Sequence, residues 1–312
     1  MALEIGRAVV VGAGVMGHSI AQVFAQGGIA TGLVDLDETK LNHARILIQY
    51  NLETLAEYGK IEFGEIPGIV SRISFMTDLR EACEGAGYII EAVSEIPEVK
   101  KQVFSELSKC CREDAILASN TSGIDIFSIV EVVRPERLII AHWFAPPHII
   151  PLVEIVPGEE TSAETIESTV KMLHRLGKTT VVLKRFIRSF LINRIQNGMT
   201  SAMWEILQNG WATPKELDMA VRSVLGVRIP ITGIVQGLDF TGLDVVNDII
   251  HSYGRHNPLV ERMVEEGCLG VKSGRGFYDY GELTEAELLR KRDLKYLKLQ
   301  DFLKELDSDG II

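Results

Sequence analysis

Three polar residues lie at spacings that suggest acid–base chemistry. Ser122 ends the segment Ala118-Ser-Asn-Thr-Ser122, His142 follows it by 20 residues, and Glu154 follows the histidine by 12. An imidazole takes up a hydroxyl proton readily near neutral pH, and an adjacent carboxylate fixes its tautomer and stabilises the imidazolium. A serine hydroxyl in the same crevice would donate to the reacting oxygen. The three residues therefore predict hydride transfer from a secondary alcohol, with His142 and Glu154 as the acid–base pair.

Each of these residues also has a non-catalytic interpretation. His142 fits a core histidine with satisfied hydrogen bonds, Glu154 fits an edge-strand glutamate that faces water, and Ser122 fits a helix cap. Asn193, in Phe190-Leu-Ile-Asn-Arg194, either donates to the substrate oxygen or caps the helix that it opens. The sequence leaves both interpretations open.

A glycine-rich segment predicts the hydride acceptor. In Val9-Val-Val-Gly-Ala-Gly-Val-Met-Gly17 the glycines follow an apolar run and open a helical pattern, as in dinucleotide-binding turns. Asp35, 23 residues after Gly12, occupies the position of a ribose-binding carboxylate, and with Asp37 it would repel a 2′-phosphate. We therefore expect NAD as the cofactor. The contacts predicted from this part of the chain are Gly12, Gly14, Val15, Met16, Gly17 and Asp35.

Residues that follow the predicted fourth and fifth strands are predicted to border the cofactor. Glu91-Ala-Val-Ser-Glu95 ends an apolar strand, and the carboxyl ends of parallel strands line the ligand crevice. Glu95 and Lys100 are interpreted either as an exposed helix pair or as residues close to the cofactor. The contacts predicted from these segments are Ala92, Val93, Glu95, Lys100 and Asn120.

The elements that must position these residues follow an α/β pattern. Short β-branched runs alternate with helical patterns up to Lys184, which predicts crossover helices and a mostly parallel, doubly wound Rossmann-type sheet. Residues 186–312 lack strand signals and predict an all-α domain, so we place the NAD-binding domain at 1–185 and a helical substrate and dimerisation domain at 186–312. The predicted strands are 7–12, 30–35, 71–75, 87–92, 115–119, 138–142, 152–156 and 179–183.

The second domain contains clear sequence signals for the starts and ends of helices. Thr213-Pro-Lys-Glu216 is a capping box with proline at the first helical position, and Gly226 marks the predicted end of that helix. Thr284-Glu-Ala-Glu287 opens a second helix that is predicted to run to about Leu306.

Composition excludes several classes of protein. The chain has 312 residues, 46% of them hydrophobic, and a net charge of −11, which disfavours a general nucleic-acid or membrane-surface binder. No apolar run approaches the roughly 18 residues of a membrane span, so we expect a cytoplasmic protein.

The cysteines lack Cys-x-x-Cys spacing and are interpreted as reduced thiols. No residues show metal-ligand spacing, and no metal is expected. Among the remaining histidines, His18 is interpreted as an exposed first-turn residue or as a phosphate contact, with the first expected, and His148 is predicted to contact substrate or to be structural.

Together these motifs resemble the NAD-dependent L-3-hydroxyacyl-CoA dehydrogenase family over nearly the whole chain. The matching segments are Gly12–Gly17, Glu91–Glu95, Ser119–Ser122, the His142 block, Leu152–Ile155, Phe190–Arg194 and Lys272–Tyr278. The resemblance implies a Rossmann domain, a helical dimerisation domain, a His142–Glu154 dyad, and substrate contacts from Ser122 and Asn193. It also places Glu95 and Lys100 near the cofactor.

Departures from the family pattern concern the substrate. Ala145 replaces the asparagine of His-Phe-Phe-Asn-Pro, and Arg188-Ser-Phe190 replaces Pro-Gly-Phe. The helix after the second strand, which carries serine and lysines near CoA in the acyl-CoA enzymes, is nearly without cations here.

The segment from Pro146 to Glu154 is similar to the branch that includes lambda-crystallin, L-gulonate 3-dehydrogenases, carnitine dehydrogenases and a pyridine-aldehyde dehydrogenase. Expected substrates are a hydroxyacyl-CoA or a free hydroxy acid, with Arg185, Arg188 and His148 as candidate contacts; the alternative of another class is a non-catalytic NAD-binding structural protein.

Overall fold

A single eight-stranded sheet forms the centre of the first part of the molecule. The computed structural model describes residues 5–308, and the chain divides after Met199 into two compact units. All eight predicted strands are confirmed, with ends that differ by no more than two residues. They are β1 (Arg7–Val11), β2 (Ala30–Val34), β3 (Ile73–Met76), β4 (Tyr88–Glu91), β5 (Ile116–Ser119), β6 (Leu138–Trp143), β7 (Leu152–Pro157) and β8 (Thr179–Val182).

The strand order is β3-β2-β1-β4-β5-β6-β7-β8. Every neighbouring pair is parallel except β6 and β7, which are antiparallel. The order reverses between β1 and β4, and such a switch point in a doubly wound sheet opens a crevice at the carboxyl ends of the strands. The predicted fold class is confirmed, and the antiparallel pair places His142 directly opposite Glu154.

Crossover helices cover both faces of this sheet. Alternate residues of β1 belong to different cores: Ala8 and Val10 pack on one face, and Val9 and Val11 on the other. A central strand that is buried on both sides reads as a continuous apolar run, as β1 does. The helices are α1 (Gly17–Gln26), α2 (Glu38–Glu57), α3 (Ile66–Val70), α4 (Leu79–Cys83), α5 (Pro97–Cys110), α6 (Ile126–Ile129), α7 (Ala163–Arg175) and α8 (Ile192–Gln208), the last of which continues into the second unit.

The second unit is mainly helical, with one longer connection at residues 266–284. Its buried anchor is Asp239, which is 1% exposed and accepts the backbone N–H groups of Phe277 and Tyr278, each at 3.0 Å, and the hydroxyl of Tyr280 at 2.9 Å. A Cβ at Gly276 would lie 2.3 Å from the Asp239 carboxylate. The helices are α9 (Pro214–Thr232), α10 (Val235–Thr241), α11 (Leu243–Ser252), α12 (Pro258–Glu265) and α13 (Glu285–Ser308).

Both predicted capping boxes are present, but one helix end is wrong. Thr213 and Glu216 exchange reciprocal hydrogen bonds at the start of α9, and Thr284 and Glu287 do so before α13. The predicted stop at Gly226 is wrong, because α9 continues six residues further to Thr232. A glycine costs only about 1 kcal/mol within a helix, which surrounding structure easily overrides. Within the described chain, no helix combines the length and apolarity needed to cross a membrane.

Candidate active site

The three glycines of the loop after β1 differ in how closely other atoms approach them. Gly12 has φ +105°, and a Cβ there would lie 2.7 Å from the Ala92 carbonyl oxygen. A Cβ at Gly17 would lie 1.7 Å from the Gly12 carbonyl oxygen, whereas one at Gly14 would meet no atom within 4 Å. The first and third glycines are therefore required by packing, and Gly14 faces the open side where a pyrophosphate would approach the N-terminus of α1.

Asp35 joins the end of β2 to this loop. One carboxylate oxygen accepts the Ala13 N–H at 2.9 Å, and the other accepts the Asp37 N–H at 3.1 Å. Lys40 lies 3.8 Å from the same carboxylate. A cavity of about 520 Å³ opens beside Asp35, and five of the predicted cofactor residues line it: Gly12, Gly14, Asp35, Ala92 and Val93.

His142 and Glu154 are in direct contact. The His142 Nδ1 atom lies 2.9 Å from Glu154 Oε2, and the two residues are 3% and 0% exposed. Because an ionised carboxylate only accepts hydrogen bonds, Nδ1 carries the proton and Nε2 is left as the acceptor. The rings of Phe144 and Phe190 lie 4.5 and 5.2 Å from the imidazole. The imidazole is thus held in one tautomer within an apolar enclosure.

The second oxygen of Glu154 is held by the start of α8. Glu154 Oε1 accepts the backbone N–H groups of Leu191 at 3.0 Å and Ile192 at 2.9 Å. The turn that delivers these groups contains Ser189 at φ +67° and Phe190 at φ +48°. The left-handed conformation is uncommon for residues other than glycine, so this turn is strained locally. Glu154 thereby ties together β6, β7 and the N-terminus of α8.

A second buried carboxylate lies at the end of β4. Glu91 is 0% exposed and accepts from Lys100 Nζ at 2.7 Å, Ser119 Oγ at 2.6 Å and the Val93 N–H at 2.8 Å. Lys100 is 1% exposed and also lies 3.0 Å from Glu95. Lys100 is therefore not part of an exposed helix pair. Its ammonium group neutralises Glu91 and anchors Glu95, which is 43% exposed at the crevice.

Glu95 orders the segment that follows β5. Its Oε1 atom accepts the Thr121 hydroxyl at 2.5 Å and the Ser122 N–H at 2.8 Å. Burial raises the pKa of Glu95, but the hydrogen bond from Thr121 and the charge of Lys100 outweigh this and hold its pKa below the usual range. Glu95 is thus ionised at neutral pH.

Ser122 and Asn193 are brought together. Asn193 Nδ2 donates to the Ser122 carbonyl oxygen at 3.4 Å. Ser122 is exposed, and its hydroxyl makes no hydrogen bond within the described chain. Asn120 is placed differently, since its Oδ1 atom accepts the Trp143 N–H at 2.8 Å and so holds the end of β6. The hydroxyl of Ser122 remains available to a ligand.

His18 and His148 lie near the first turn of α1. His18 is 8% exposed, and its Nδ1 atom lies 2.8 Å from the Gly14 carbonyl oxygen, so the expectation of an exposed residue is wrong. The loop that carries His148 lies against the same turn of α1, which accounts for this burial. His148 Nδ1 lies 2.7 Å from Ser19 Oγ, which also accepts the His148 N–H at 3.1 Å. This pair connects the loop after β6 to α1.

The loop that carries His148 is held by a buried lysine. Lys178 Nζ donates to the carbonyl oxygens of Pro147 and Ile150 and lies 5.4 Å from the Trp143 ring centroid. Burial lowers the pKa of Lys178 to about 8. No motif in the sequence marks Lys178. Glu91 opens the predicted segment Glu91–Glu95, but its pairing with Lys100 and Ser119 was not predicted because these partners lie on other elements.

Neither Arg185 nor Arg188 makes a hydrogen bond or ion pair with the dyad in the described part of the chain. Both are exposed, and no ion pair within the described chain involves either of them. Arg185 borders a cavity of about 900 Å³ that is also lined by Lys184 and Asp125. The geometry leaves both arginines available to an anion.

Known proteins are similar to this chain over nearly its whole length. A family model described as the 3-hydroxyacyl-CoA dehydrogenase NAD-binding domain matches residues 7–186, and one described as the C-terminal domain of the same family matches residues 190–280. A probable 3-hydroxybutyryl-CoA dehydrogenase from Bacillus subtilis is 35% identical, over 90% of this chain and 100% of the relative.

Two further relatives cover almost the full chain. The 5-formyl-3-hydroxy-2-methylpyridine 4-carboxylate 5-dehydrogenase of Mesorhizobium japonicum is 27% identical, over 95% of this chain and 97% of its own length. The crystal structure of a 3-hydroxyacyl-CoA dehydrogenase from Archaeoglobus fulgidus superposes with a TM-score of 0.79 and is 29% identical, over 96% of this chain and 99% of that one.

The Glu91–Lys100 pair generates a stability prediction. Lys100→Met leaves the Glu91 carboxylate buried without a cation, which should lower the free energy of unfolding by about 3–5 kcal/mol in urea denaturation. Lys101→Met is the matched control, because Lys101 is the adjacent, exposed lysine of α5 and should change stability by less than about 0.5 kcal/mol. Equal losses in both variants would contradict the assigned role of Lys100.

Proposed function

Because the chain belongs to the 3-hydroxyacyl-CoA dehydrogenase family, we propose that it catalyses NAD-dependent hydride transfer at the 3-hydroxy or 3-keto group of a small acid. The observation that carries the proposal is the 2.9 Å contact between His142 Nδ1 and Glu154 within the apolar enclosure. This contact leaves Nε2 as the nitrogen that exchanges a proton with the substrate oxygen.

The acid–base step is carried by residues of this chain. In oxidation, Nε2 of His142 takes the hydroxyl proton, and the buried Glu154 carboxylate stabilises the imidazolium that forms. In reduction, the same imidazolium returns the proton to the oxygen. The Ser122 hydroxyl and the Asn193 amide are proposed to donate to that oxygen, supported by the 3.4 Å hydrogen bond from Asn193 Nδ2 to the Ser122 backbone carbonyl, which brings the two residues together. NAD, when bound, accepts or supplies the hydride.

We propose that the cofactor binds to residues at the edge of the crevice. The open space at Gly14, the steric requirement for Gly12 and Gly17, and the cavity beside Asp35 fit a dinucleotide. Glu95, anchored by the buried Lys100, is proposed to face the cofactor, and Asn120 is proposed to shape its pocket by holding β6. The remaining proposed contacts are Val15, Met16, Ala92 and Val93.

A free hydroxy acid is the better-supported substrate class. The cations of α2 are Lys40, which lies 3.8 Å from Asp35, and Arg45, whose guanidinium lies 4.3 Å from the Phe75 ring centroid. Helix α2 therefore offers only these two side chains to the phosphates of CoA, and one of them, Arg45, is stacked on an aromatic ring. Arg185, Arg188 and His148 are proposed to receive the carboxylate of the substrate, supported by the exposure of both arginines.

The domain limits and location also stay proposals. We place the cofactor domain at residues 1–185 and the helical domain at 186–312, supported by the absence of strands after β8 in the described chain. The four free cysteines support a reducing compartment such as the cytoplasm.

The helical domain is proposed to form a homodimer. Large apolar side chains of the second unit are exposed, as expected of a surface that a second copy covers: Trp204 at 54%, Trp211 at 66%, Met219 at 62% and Leu297 at 58%. Sedimentation equilibrium at micromolar concentration should give twice the mass of the chain, and a monomer mass would contradict the proposal.

Replacement of His142 tests the acid–base assignment. His142→Gln removes the titrating nitrogen while retaining a polar side chain, so turnover should fall about 10²-fold or more. Affinity for NADH, measured by fluorescence titration, should be nearly unchanged. His174→Gln is the control, because His174 is exposed on α7. Undiminished turnover of His142→Gln would overturn the assignment.

A substrate panel separates the two substrate classes. With NADH, acetoacetyl-CoA should be reduced slowly; with NAD, some members of a set of free 3-hydroxy acids should be oxidised at a higher kcat/KM. A high kcat/KM for acetoacetyl-CoA would contradict the argument from Lys40 and Arg45. NAD binding without turnover on any substrate would instead support the alternative of a non-catalytic NAD-binding protein.

A further inference from the structure

Three thiols come together away from the crevice. Cys83 ends α4, Cys110 ends α5, and Cys111 follows directly. The three sulfur atoms lie within 4.8 Å of one another, and all three cysteines are free. Cys83 is buried, while Cys110 and Cys111 are partly exposed, so an ion from solvent has access to the cluster.

The cluster lies at the opposite edge of the sheet from the dyad. Helices α4 and α5 lead into β4 and β5, so their C-terminal ends stand at the edge where these parallel strands begin. His142 and the glycine loop lie where strands end. The proposed dehydrogenase chemistry therefore makes no use of these thiols.

The donor set determines which ion would fit. No histidine or carboxylate of the described chain joins the group, so the donors are three sulfurs. For a metal–sulfur distance of about 2.3 Å, a trigonal site needs sulfurs about 4.0 Å apart, which small side-chain rotations reach from the present spacing. Zn²⁺ prefers a fourth ligand, whereas Cu(I) is selected by soft thiolates. We propose that Cys83, Cys110 and Cys111 bind one Cu(I) ion per chain.

The surrounding charges suit such a complex. Three thiolates and one Cu(I) carry a net charge of −2, and the positive charges of Arg7 and Arg80 act on Cys83 and Cys110. The Cys111 thiol and burial raise the pKa of Cys83, and burial raises the pKa of Cys110 to about 11. Without metal the Cys83 and Cys110 thiols are therefore protonated at neutral pH. Cu(I) binding displaces the thiol protons, and no redox change occurs.

Competition with a chromophoric chelator tests the site. The reduced full-length protein is titrated without oxygen into the Cu(I) complex of bathocuproine disulfonate, and loss of the absorbance of that complex reports transfer. One Cu(I) per chain should be withdrawn. X-ray absorption of the loaded protein should show three sulfur neighbours. No transfer, or a copper site with fewer than three sulfurs, would overturn the proposal.

Serine variants show which thiols are responsible. Cys110→Ser and Cys111→Ser each replace a partly exposed cysteine. Each variant should bind Cu(I) at least about 10-fold more weakly, because even changes outside the ligands lower metal affinity by about 10- to 100-fold. Cys268→Ser is the matched control, because Cys268 is a buried free cysteine outside the cluster and should leave affinity unchanged. Equal losses in Cys268→Ser would contradict the site. Copper transfer is measured independently of dehydrogenase turnover, so failure of this proposal can be distinguished from failure of the proposed function.

Discussion

The buried carboxylate of Glu154 is the constraint on which the active site depends. A carboxylate that is 0% exposed is stable only if its oxygens are satisfied, and here one oxygen accepts from His142 and the other accepts from two N–H groups at the start of α8. The same group therefore fixes the imidazole tautomer, the pairing of β6 with β7 and the position where α8 begins. The helix dipole adds to this stabilisation.

Glu91 satisfies the same requirement on the cofactor side. Its partners are Lys100, Ser119 and a backbone N–H, and Lys100 extends the network to Glu95 at the crevice. Two buried carboxylates, Glu91 at the end of β4 and Glu154 within β7, thus order the two halves of the site. A fully satisfied polar network of this kind is rigid, which suits a reaction that depends on fixed donor and acceptor positions.

Local patterns predicted the elements well and their partners less well. The strands followed from short apolar runs, and the capping boxes from four-residue signatures, because both depend on residues close in sequence. Gly226 was mispredicted because a single glycine costs too little to end a helix, and His18 was mispredicted because the loop that carries His148 lies against its turn of α1. Ser189 shows the same limit, because no local pattern predicts its φ of +67° in the turn that leads to the contact between Glu154 and α8.

The sequence by itself determined the doubly wound sheet, the glycine loop and the identities of the candidate acid–base residues, because strand periodicity and turn chemistry are local properties. Tertiary structure alone decided that His142 stands opposite Glu154, that Lys100 is buried, and that Cys83 meets Cys110 and Cys111. These contacts join residues on different elements. Their formation depends on strand register and on the burial of charge, which no spacing along the chain specifies.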